Sequence, residues 1–355
     1  MPEAFKSGQL IYLGGVSPTV RGDVAAQTRN ILEQVQSSLR AAGSSLDHVV
    51  SVLVFLRAAS DFGAMNDAYR TFWSRDFPAR TTVVVDLSSP EARVEFSIVA
   101  VAAGAERTVI HPADWVQSPS PYSYALRTDD TVFLSGLVSR KGRDNSVVGG
   151  DVGQQTRVIL DNAGELLHAA GLSHAHIVSS RIYLPDVASF AGMNEAYRTY
   201  FPSAPPARAT IGTALAGPQY SVEITFIAAS SSRRAITAGL PANFSLPLSP
   251  AIVAGNRAYL SGALGNDETN KTDAAAQTRA TLDKLRATLA ASGCSPADVA
   301  EALVYVTDAA NLSGVDGECQ AFFGSHTPSR TTIRCGLVAP DGLVEIMLTA
   351  RIPAA

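Results

Sequence analysis

The sequence predicts an α+β protein built from three tandem copies of one domain. A Gln-Thr-Arg triplet occurs three times, an arginine lies 53 residues after the start of each triplet, and a glutamate lies 15 residues after that arginine. The triplets begin at Gln27, Gln155 and Gln277, the arginines are Arg80, Arg208 and Arg330, and the glutamates are Glu95, Glu223 and Glu345. A repeat of roughly 120 residues has the size of a domain and is too long for a solenoid unit.

The first half of each copy predicts a strand, a loop of variable length and a helix. The strand ends in a pair of small residues, and the helix has apolar residues at steps of three and four, which form one face. A glycine then provides a left-handed C-terminal cap. The small pairs are Gly14-Gly15, Ser135-Gly136 and Ser261-Gly262, and the apolar helical positions are Leu32/Val35/Leu39, Leu160/Ala163/Leu167 and Leu282/Leu285/Leu289.

The second half of each copy predicts a strand, a second helix and two closing strands. The second helix has apolar residues at spacings of 3, 4 and 3, as in Phe62, Met65, Tyr69 and Phe72, and we interpret its aromatic residues as core. The closing strands carry the repeated arginine and glutamate, and a turn near residues 88–91 is expected to join them as a hairpin. Each copy is therefore expected to form one sheet with two helices on one face.

Two segments rich in Ser, Pro and Gly, residues 104–120 and 230–247, are interpreted as linkers. They predict domains at residues 1–107, 108–234 and 235–355. The Arg233-Arg234 pair is interpreted as part of a solvated linker. The first copy is expected to lack most of its opening strand, because the counterpart of PSPYSYAL in the second copy is expected at or before Met1.

Composition narrows the class of protein. The net charge of −4 gives no electrostatic footprint for nucleic acid, and no apolar run has the length of a membrane span. Three cysteines without a CxxC pattern are typical of reduced thiols in a cytoplasmic protein, and no signal peptide pattern is present. His174 and His176 lack a third metal ligand, and no dinucleotide, phosphate-loop or nucleophile–base motif occurs. We therefore expect no metal site.

The repeated arginine and glutamate are the candidate site. An arginine after a proline-containing turn can hold a carboxylate through two parallel N–H···O bonds. A nearby glutamate could orient a water molecule as a general base. The alternative is a structural ion pair that was repeated by duplication. The sequence leaves open whether the two side chains share a face of the sheet. The small-residue pairs could offer a backbone N–H and a hydroxyl to a ligand.

Three segments resemble a known family. PARTTVVVDLSSPEARVEF and its two counterparts resemble the closing signature of the Rid family (RidA/YjgF, reactive intermediate imine/enamine deaminases). SPYSYALRTDDTVFLSGLV resembles the opening segment of that family, and FGAMNDAYRTFW and FAGMNEAYRTYF resemble its second helix. The resemblance covers nearly the whole chain, three times over.

The resemblance implies a fold and an activity. Rid proteins are typically homotrimers of a chorismate-mutase-like domain, with sheets around a central barrel and ligands between protomers. One chain with three copies is then an intramolecular pseudo-trimer with three non-identical clefts, and whether such pseudo-trimers associate further is left open. The implied reaction is cofactor-independent hydrolysis of a 2-imino or 2-enamino acid, in which the arginine holds the carboxylate and the glutamate handles the water.

The resemblance also implies site residues, and the second copy is the most complete. That copy has Tyr122, Ser135, Gly136, Asn194, Arg208 and Glu223; the first has Gly15, Asn66, Arg80 and Glu95; the third has Ser261, Gly262, Arg330 and Glu345. The first copy has no counterpart of the tyrosine, and the third has Leu248 and Asp316 in place of the tyrosine and the asparagine. The cysteine usual in the family, two residues after the arginine, is replaced by Thr82, Thr210 and Thr332, which leaves the usual substrate in question.

Two other functions remain open at this point. A chorismatase-like enzyme or another lyase or hydrolase could act on a different carboxylate. Alternatively, the chain could be a non-catalytic binding protein for a small carboxylate.

Overall fold

Each copy folds into one sheet with two helices on one face, so the predicted α+β class is confirmed. The structure is a computed structural model, and it describes residues 2–237 and 244–353. The first copy contains β1 Phe5–Ser7, β2 Leu10–Val16, α1 Val24–Ala41, β3 Val49–Leu56, α2 Phe62–Arg70, β4 Ala79–Val84 and β5 Val94–Val101. The second copy contains β6 Thr108–Ile110, β7 Ala125–Thr128, β8 Thr131–Leu134, α3 Val152–Ala169, β9 Ile177–Leu184, α4 Phe190–Tyr200, β10 Ala207–Gly212, β11 Ala214–Leu215 and β12 Glu223–Ala229. The third copy contains β13 Arg233–Ile236, β14 Ala251–Ala254, β15 Arg257–Leu260, β16 Ala263–Leu264, α5 Ala274–Ala291, β17 Val299–Val306, α6 Leu312–Phe323, β18 Ser329–Arg334, β19 Gly336–Leu337 and β20 Val344–Arg351.

The first helix of each copy is capped at its N-terminus by an aspartate and buries the predicted apolar face. Asp23 caps α1 by accepting a hydrogen bond from the backbone N–H of Ala26 at 2.7 Å, and Asp151 and Asp273 cap α3 and α5 in the same way. The glutamine of the repeated triplet is fully buried. Its amide oxygen accepts from the backbone N–H of Arg93 at 2.7 Å in the first copy, two residues before Glu95. The glutamine of the triplet therefore links the first helix to the start of the strand that carries the glutamate.

The two closing strands do not form the expected hairpin. The first sheet has the order β1-β2-β5-β3-β4, so β3 lies between the strand of Arg80 and the strand of Glu95. The β3–α2–β4 connection is a helical crossover, and such a crossover makes β4 parallel to β3. The chain then passes over β3, and β5 pairs with the other side of β3 in the antiparallel sense. The predicted hairpin is therefore wrong in all three copies, because the same strand order recurs.

Each sheet is extended by the next copy, and the extensions close a ring. Strand β11 of the second copy pairs with β4 of the first, and β19 of the third pairs with β10 of the second. An isolated antiparallel β-bridge between the backbones of Asp86 and Arg334 connects the first copy to β18 of the third copy in the same way. The three copies therefore form the expected intramolecular pseudo-trimer.

The cores have two levels. Each copy has its own apolar core between its helices and its sheet. Two further apolar clusters contain residues from all three copies and lie where the sheets face one another. Arg181 of the second copy and Glu301 of the third form a buried ion pair in this region, with their side-chain N and O atoms 3.8 Å apart. Neither residue has a charged counterpart in the other copies, so the central polar contact is asymmetric.

The predicted linkers contribute edge strands. Strand β6 lies in the first linker and β13 in the second, and residues 238–243 of the second linker lie outside the described residues. Arg233 is not solvated linker, because its guanidinium donates to the backbone carbonyls of Ile177 and Ala204 in the second copy. Since β13 pairs within the third sheet, we propose that the third domain begins near residue 233, with the other boundaries as predicted.

Three smaller features complete the description of the fold. The first copy keeps a three-residue opening strand, β1, in which Phe5 lies opposite Tyr12, so more of that strand remains than expected. Residues His174–His176 form a short 3-10 turn before β9, and the described residues contain no cluster of His, Cys, Asp and Glu that could hold a metal. Among the described helices, none combines the length and the apolarity that crossing a membrane requires.

Candidate active site between the copies

Each repeated arginine lies in a cleft that it shares with the next copy. Cleft A contains Arg80 with Tyr122, Gly136 and Glu223 and has a volume of about 310 Å³. Cleft B contains Arg208 with Ser261, Gly262 and Glu345 and has a volume of about 530 Å³. Cleft C contains Arg330 with Gly14 and Gly15, beside Glu95, and has a volume of about 490 Å³.

The sequence did not predict this pairing across copies. The resemblance grouped Arg208 with Tyr122 and Glu223 in one copy, whereas the structure places those two residues with Arg80. The reason is that the start of the arginine-bearing strand packs against the next copy. The backbone N–H of Gly136 donates to the carbonyl of Arg80 at 3.1 Å, and Gly262 donates in the same way to Arg208.

The small-residue pairs serve the interface between copies and do not offer free donors. The backbone N–H of Arg80 donates to the hydroxyl of Ser135 at 2.8 Å, and that hydroxyl donates to the carbonyl of Ser123 at 2.7 Å. Ser261 makes the equivalent bonds to Arg208 and Ser249. This N–H and this hydroxyl already bind the neighbouring copy, whereas Gly136, Ser261 and Gly262 line the clefts, so a role of these residues in ligand binding stays a prediction.

The glycines of these pairs leave room for the glutamates. A Cβ at Gly136 would lie 2.0 Å from Oε1 of Glu223, and a Cβ at Gly262 would lie 1.9 Å from Oε1 of Glu345. No side chain fits at either position without displacing the carboxyl group. The sequence therefore needs glycine here to bring the carboxyl group against the interface.

The guanidinium groups of clefts A and B are buried against aromatic rings. Arg80 is 4% exposed and Arg208 is 2% exposed. The Cζ atom of Arg80 lies 4.9 Å from the ring centre of Tyr69, and Cζ of Arg208 lies 5.2 Å from that of Tyr197. Such cation–π contacts stabilise a desolvated cation. The aromatic residues interpreted as core are thus core residues that also support the arginines.

Both guanidinium groups have N–H groups without partners in the described part of the chain. These are Nε and Nη1 of Arg80 and Nε of Arg208. Nη1 of Arg208 donates to Oδ1 of Asn194 at 2.8 Å, whereas Oδ1 of the equivalent Asn66 has no partner among the described residues. Asn194 therefore orients the arginine. Since buried donors are normally satisfied, the remaining N–H groups indicate a site for an anionic ligand.

The glutamates of clefts A and B are buried acids. Burial raises the pKa of Glu223 to about 8, and the charge of Arg80 and a backbone hydrogen bond from Thr82 oppose that shift. Burial likewise raises the pKa of Glu345 to about 8, against the charge of Arg208 and a backbone hydrogen bond from Thr210. Each cleft therefore pairs a buried cation with a carboxyl group that exchanges its proton near neutral pH.

The hydroxyls of the threonines that replace the cysteine of the Rid family also face these clefts. Thr82 lines cleft A and Thr210 lines cleft B. Both Oγ1 atoms are buried and lack a hydrogen-bond partner among residues 2–237 and 244–353. Oε2 of Glu345 is also buried and also lacks a hydrogen-bond partner among the described residues. These atoms add polar groups that a ligand or water molecule in the cleft can satisfy.

The arginine and the glutamate of cleft C both have side-chain partners within the protein. Nη2 of Arg330 lies 2.7 Å from Oδ1 of Asp316, the residue that replaces the asparagine, and the arginine side chain is 35% exposed. Oε2 of Glu95 accepts a hydrogen bond from the hydroxyl of Ser17 at 2.7 Å. The backbone N–H of Gly15 donates to Oγ1 of Thr331, and Thr332 is only half-buried. The arginine of this cleft therefore already has a carboxylate partner from its own copy.

The sequence did not point to several lining residues. Arg140 and Tyr220 line cleft A, and the Nε of Arg140 donates to the phenol oxygen of Tyr220. Leu246, Leu264 and Val338 line cleft B. The residue types at these positions differ between the copies, so the repeat pattern gave no signal for them.

Comparisons with known proteins agree with this architecture. The family model described as Endoribonuclease L-PSP matches residues 2–102, 114–230 and 242–352. Reactive Intermediate Deaminase A, chloroplastic, of Arabidopsis thaliana is 33% identical over 132 residues, which cover 37% of this chain and 71% of that protein. The 2-iminobutanoate/2-iminopropanoate deaminase of Homo sapiens is 34% identical over 122 residues, which cover 34% of this chain and 89% of that protein.

One solved structure resembles the whole chain. A crystal structure of a chorismatase has a TM-score of 0.60 at 16% identity, and the match covers 99% of this chain and 100% of that one. At this identity the likeness concerns the fold alone. The match of the family model to nearly the whole sequence and the names of the relatives confirm the Rid resemblance. The chain belongs to the Endoribonuclease L-PSP family, whose domain it carries in three tandem copies.

Proposed function

We propose that the protein is a hydrolytic deaminase of imines or enamines that bear a carboxylate, and that it works in clefts A and B. The observation that carries this proposal is the pairing, in both clefts, of a buried arginine, whose N–H groups lack some partners among the described residues, with a buried glutamate of the next copy. The names of the relatives, which include a 2-iminobutanoate/2-iminopropanoate deaminase, support the class of reaction.

The arginine has the first role, which is to bind the substrate. Its free N–H groups hold the substrate carboxylate, and this contact fixes the imine carbon near the glutamate of the other copy. A guanidinium held by aromatic rings and, in cleft B, by Asn194 is already oriented before the substrate arrives. Less free energy is then spent on ordering the site.

The glutamate has the second role, which is proton transfer. A protonated imine brings a positive charge next to the carboxyl group and favours its ionised form. The carboxylate accepts a proton from water while the water oxygen bonds to the imine carbon and the C–N π electrons move to nitrogen. The same carboxyl group then protonates the amine nitrogen, the C–N bond breaks with its electron pair going to nitrogen, and the hydroxyl passes its proton to the regenerated carboxylate, which transfers it to the departing ammonia. The products are a 2-oxo acid and ammonium.

The printed family description names an endoribonuclease, and we do not extend that activity to this chain. The net charge of −4 provides no long-range attraction for a polyanion. Arg80 and Arg208, which keep N–H groups without a partner among the described residues, are buried, and this position suits a small carboxylate better than a polynucleotide backbone.

The test is release of ammonia and a 2-oxo acid from freshly generated 2-iminopropanoate. The double variant Glu223→Gln/Glu345→Gln should lose about a hundredfold or more of the turnover, since it lacks both general bases. Glu95→Gln is the matched control from cleft C and should retain most of the activity. Absence of wild-type activity, or full activity in the double variant, contradicts the proposal. Carboxylate binding without turnover would instead indicate the binding protein considered above.

A further inference from the structure

Clefts A and B share the arginine and the glutamate but differ in the side chains around them. Four residues that line cleft A are replaced by residues of a different type at the equivalent positions of the third copy, and three of the four replacements are larger aliphatic side chains or aliphatic side chains in place of a hydroxyl-bearing one. Ser120, Tyr122 and Ala216 of cleft A correspond to Leu246, Leu248 and Val338 of cleft B, and Tyr220 corresponds to Gly342. Cleft B therefore has an apolar wall where cleft A has hydroxyl groups.

The larger volume of cleft B has an identifiable cause. In the second copy, Trp115 donates from Nε1 to Glu165 at 2.7 Å and packs edge-on against Tyr124, with ring centres 4.9 Å apart. The cavity that Trp115 and Tyr124 line together with Tyr122 and Gly136 has a volume of only about 20 Å³. The counterparts of Glu165 and Tyr124 in the third copy are Ala287 and Pro250, and both line cleft B. The cavity consequently extends to the surface of α5.

The polar groups of cleft B are few. Nε of Arg208, Oγ1 of Thr210 and Oε2 of Glu345 are buried and have no partner among the described residues. The ammonium of Lys284, an exposed residue on α5 that lines the cavity, donates to the carbonyl of Leu264 at 2.6 Å. The rest of the wall is largely apolar. A ligand that suits this cavity therefore carries one carboxylate for Arg208 and a bulky apolar body for the remainder.

We propose that cleft B is specific for monocarboxylates with a bulky apolar substituent, such as the 2-imino acid of an aromatic amino acid, and that cleft A does not accept them. The imine part of this statement rests on the proposed function, whereas the preference for an apolar carboxylate does not. In cleft A, Tyr122 and Tyr220 stand at the positions of Leu248 and Gly342, and the cleft is also lined by the guanidinium of Arg140, which has no acidic partner among the described residues.

The first experiment measures binding of two stable probes, 3-phenylpropanoate and propanoate, by calorimetry. Burying a phenyl group in an apolar cavity should make 3-phenylpropanoate bind about 10- to 100-fold more tightly than propanoate. Arg208→Lys should remove most of the 3-phenylpropanoate binding, and the matched change Arg80→Lys should not. Equal affinities for the two probes, or greater sensitivity to Arg80→Lys, would overturn the proposal.

The second experiment transfers the wall of cleft A into cleft B. The double variant Leu246→Ser/Leu248→Tyr should reduce the preference for 3-phenylpropanoate to about threefold or less, while the affinity for propanoate stays within about twofold. The single variant Leu246→Ser is the control for misfolding, because Leu246 is 38% exposed and its replacement should not disturb the fold. It should give part of the effect of the double variant. A preference that survives the double variant would place the phenyl group elsewhere and refute the assignment.

Turnover separates the two proposals. If 3-phenylpropanoate binds selectively but no imine is hydrolysed, the deaminase proposal fails and the ligand class of cleft B stands. If 2-iminopropanoate and 2-imino-3-phenylpropanoate are hydrolysed equally and the two probes bind equally, the deaminase proposal stands and cleft B has no apolar specificity.

Discussion

Replacement of Glu345 by glutamine should make the protein more stable at pH 8 while it removes the proposed base of cleft B. Burial raises the pKa of Glu345 from 4.5 to about 8 in the folded protein. Between these two values the folded state holds a proton that the unfolded chain has released. The protonated acid therefore stabilises the fold at low pH, and this contribution is lost as the pH rises toward 8.

The size of the effect follows from the shift. One pKa unit corresponds to about 1.4 kcal/mol, so raising the pH from 5 to 8 should cost the wild type about 3 kcal/mol through this group. Glutamine has the shape of the protonated acid and stays neutral at every pH. The free energies of unfolding of Glu345→Gln and wild type should therefore be similar at pH 5 and should differ by about 3 kcal/mol at pH 8, with the variant more stable.

The assay is urea-induced unfolding followed by circular dichroism at pH 5, 6, 7 and 8. Comparing the variant with wild type at each pH cancels the titration of all other groups. Glu95→Gln is the matched control: burial raises the pKa of Glu95 too, but the hydrogen bond from Ser17 opposes the rise, so its effect should be smaller. Parallel pH profiles for Glu345→Gln and wild type would refute the claim that this carboxyl group is desolvated.

Three other outcomes are expected. Arg208→Lys keeps the charge but loses the planar fork, so binding of propanoate in cleft B should fall at least tenfold in calorimetry with little change in melting temperature. The opposite pattern would make the arginine structural. Asp316→Asn restores in cleft C the asparagine of the other copies and frees Arg330, so the number of propanoate molecules bound per chain should increase by one. An unchanged number shows that the ion pair does not block that cleft. Light scattering at low protein concentration should show a single chain of 37.2 kDa as the smallest species, since the three copies close the ring within one chain. A smallest species with a multiple of that mass would contradict it.

Much of the fold could be predicted because it depends on local patterns. The apolar steps of the helices identified faces that are buried in the structure, including Leu32, Leu160 and Leu282. The repeated Arg80 and Glu95 and their counterparts stood out because their spacing is the same in every copy. The strand order was missed at β4 and β5, because a turn near residues 88–91 looks the same in the sequence whether the strands on either side are neighbours or are separated by β3.

The amino-acid sequence by itself determined that three similar α+β units exist, which residues form their cores, and which charged residues recur. Only the tertiary structure decided that Arg80 shares a cleft with Glu223, and Arg208 with Glu345, across the interfaces between copies. It also decided that Arg330 forms an ion pair with Asp316 of its own copy. It also decided that the hydroxyls of Ser135 and Ser261 bind the neighbouring copy. The physical reason is that a helix or strand face is set by neighbours within a few residues, whereas a cleft is set by side chains more than a hundred residues apart that meet only when the ring of sheets closes.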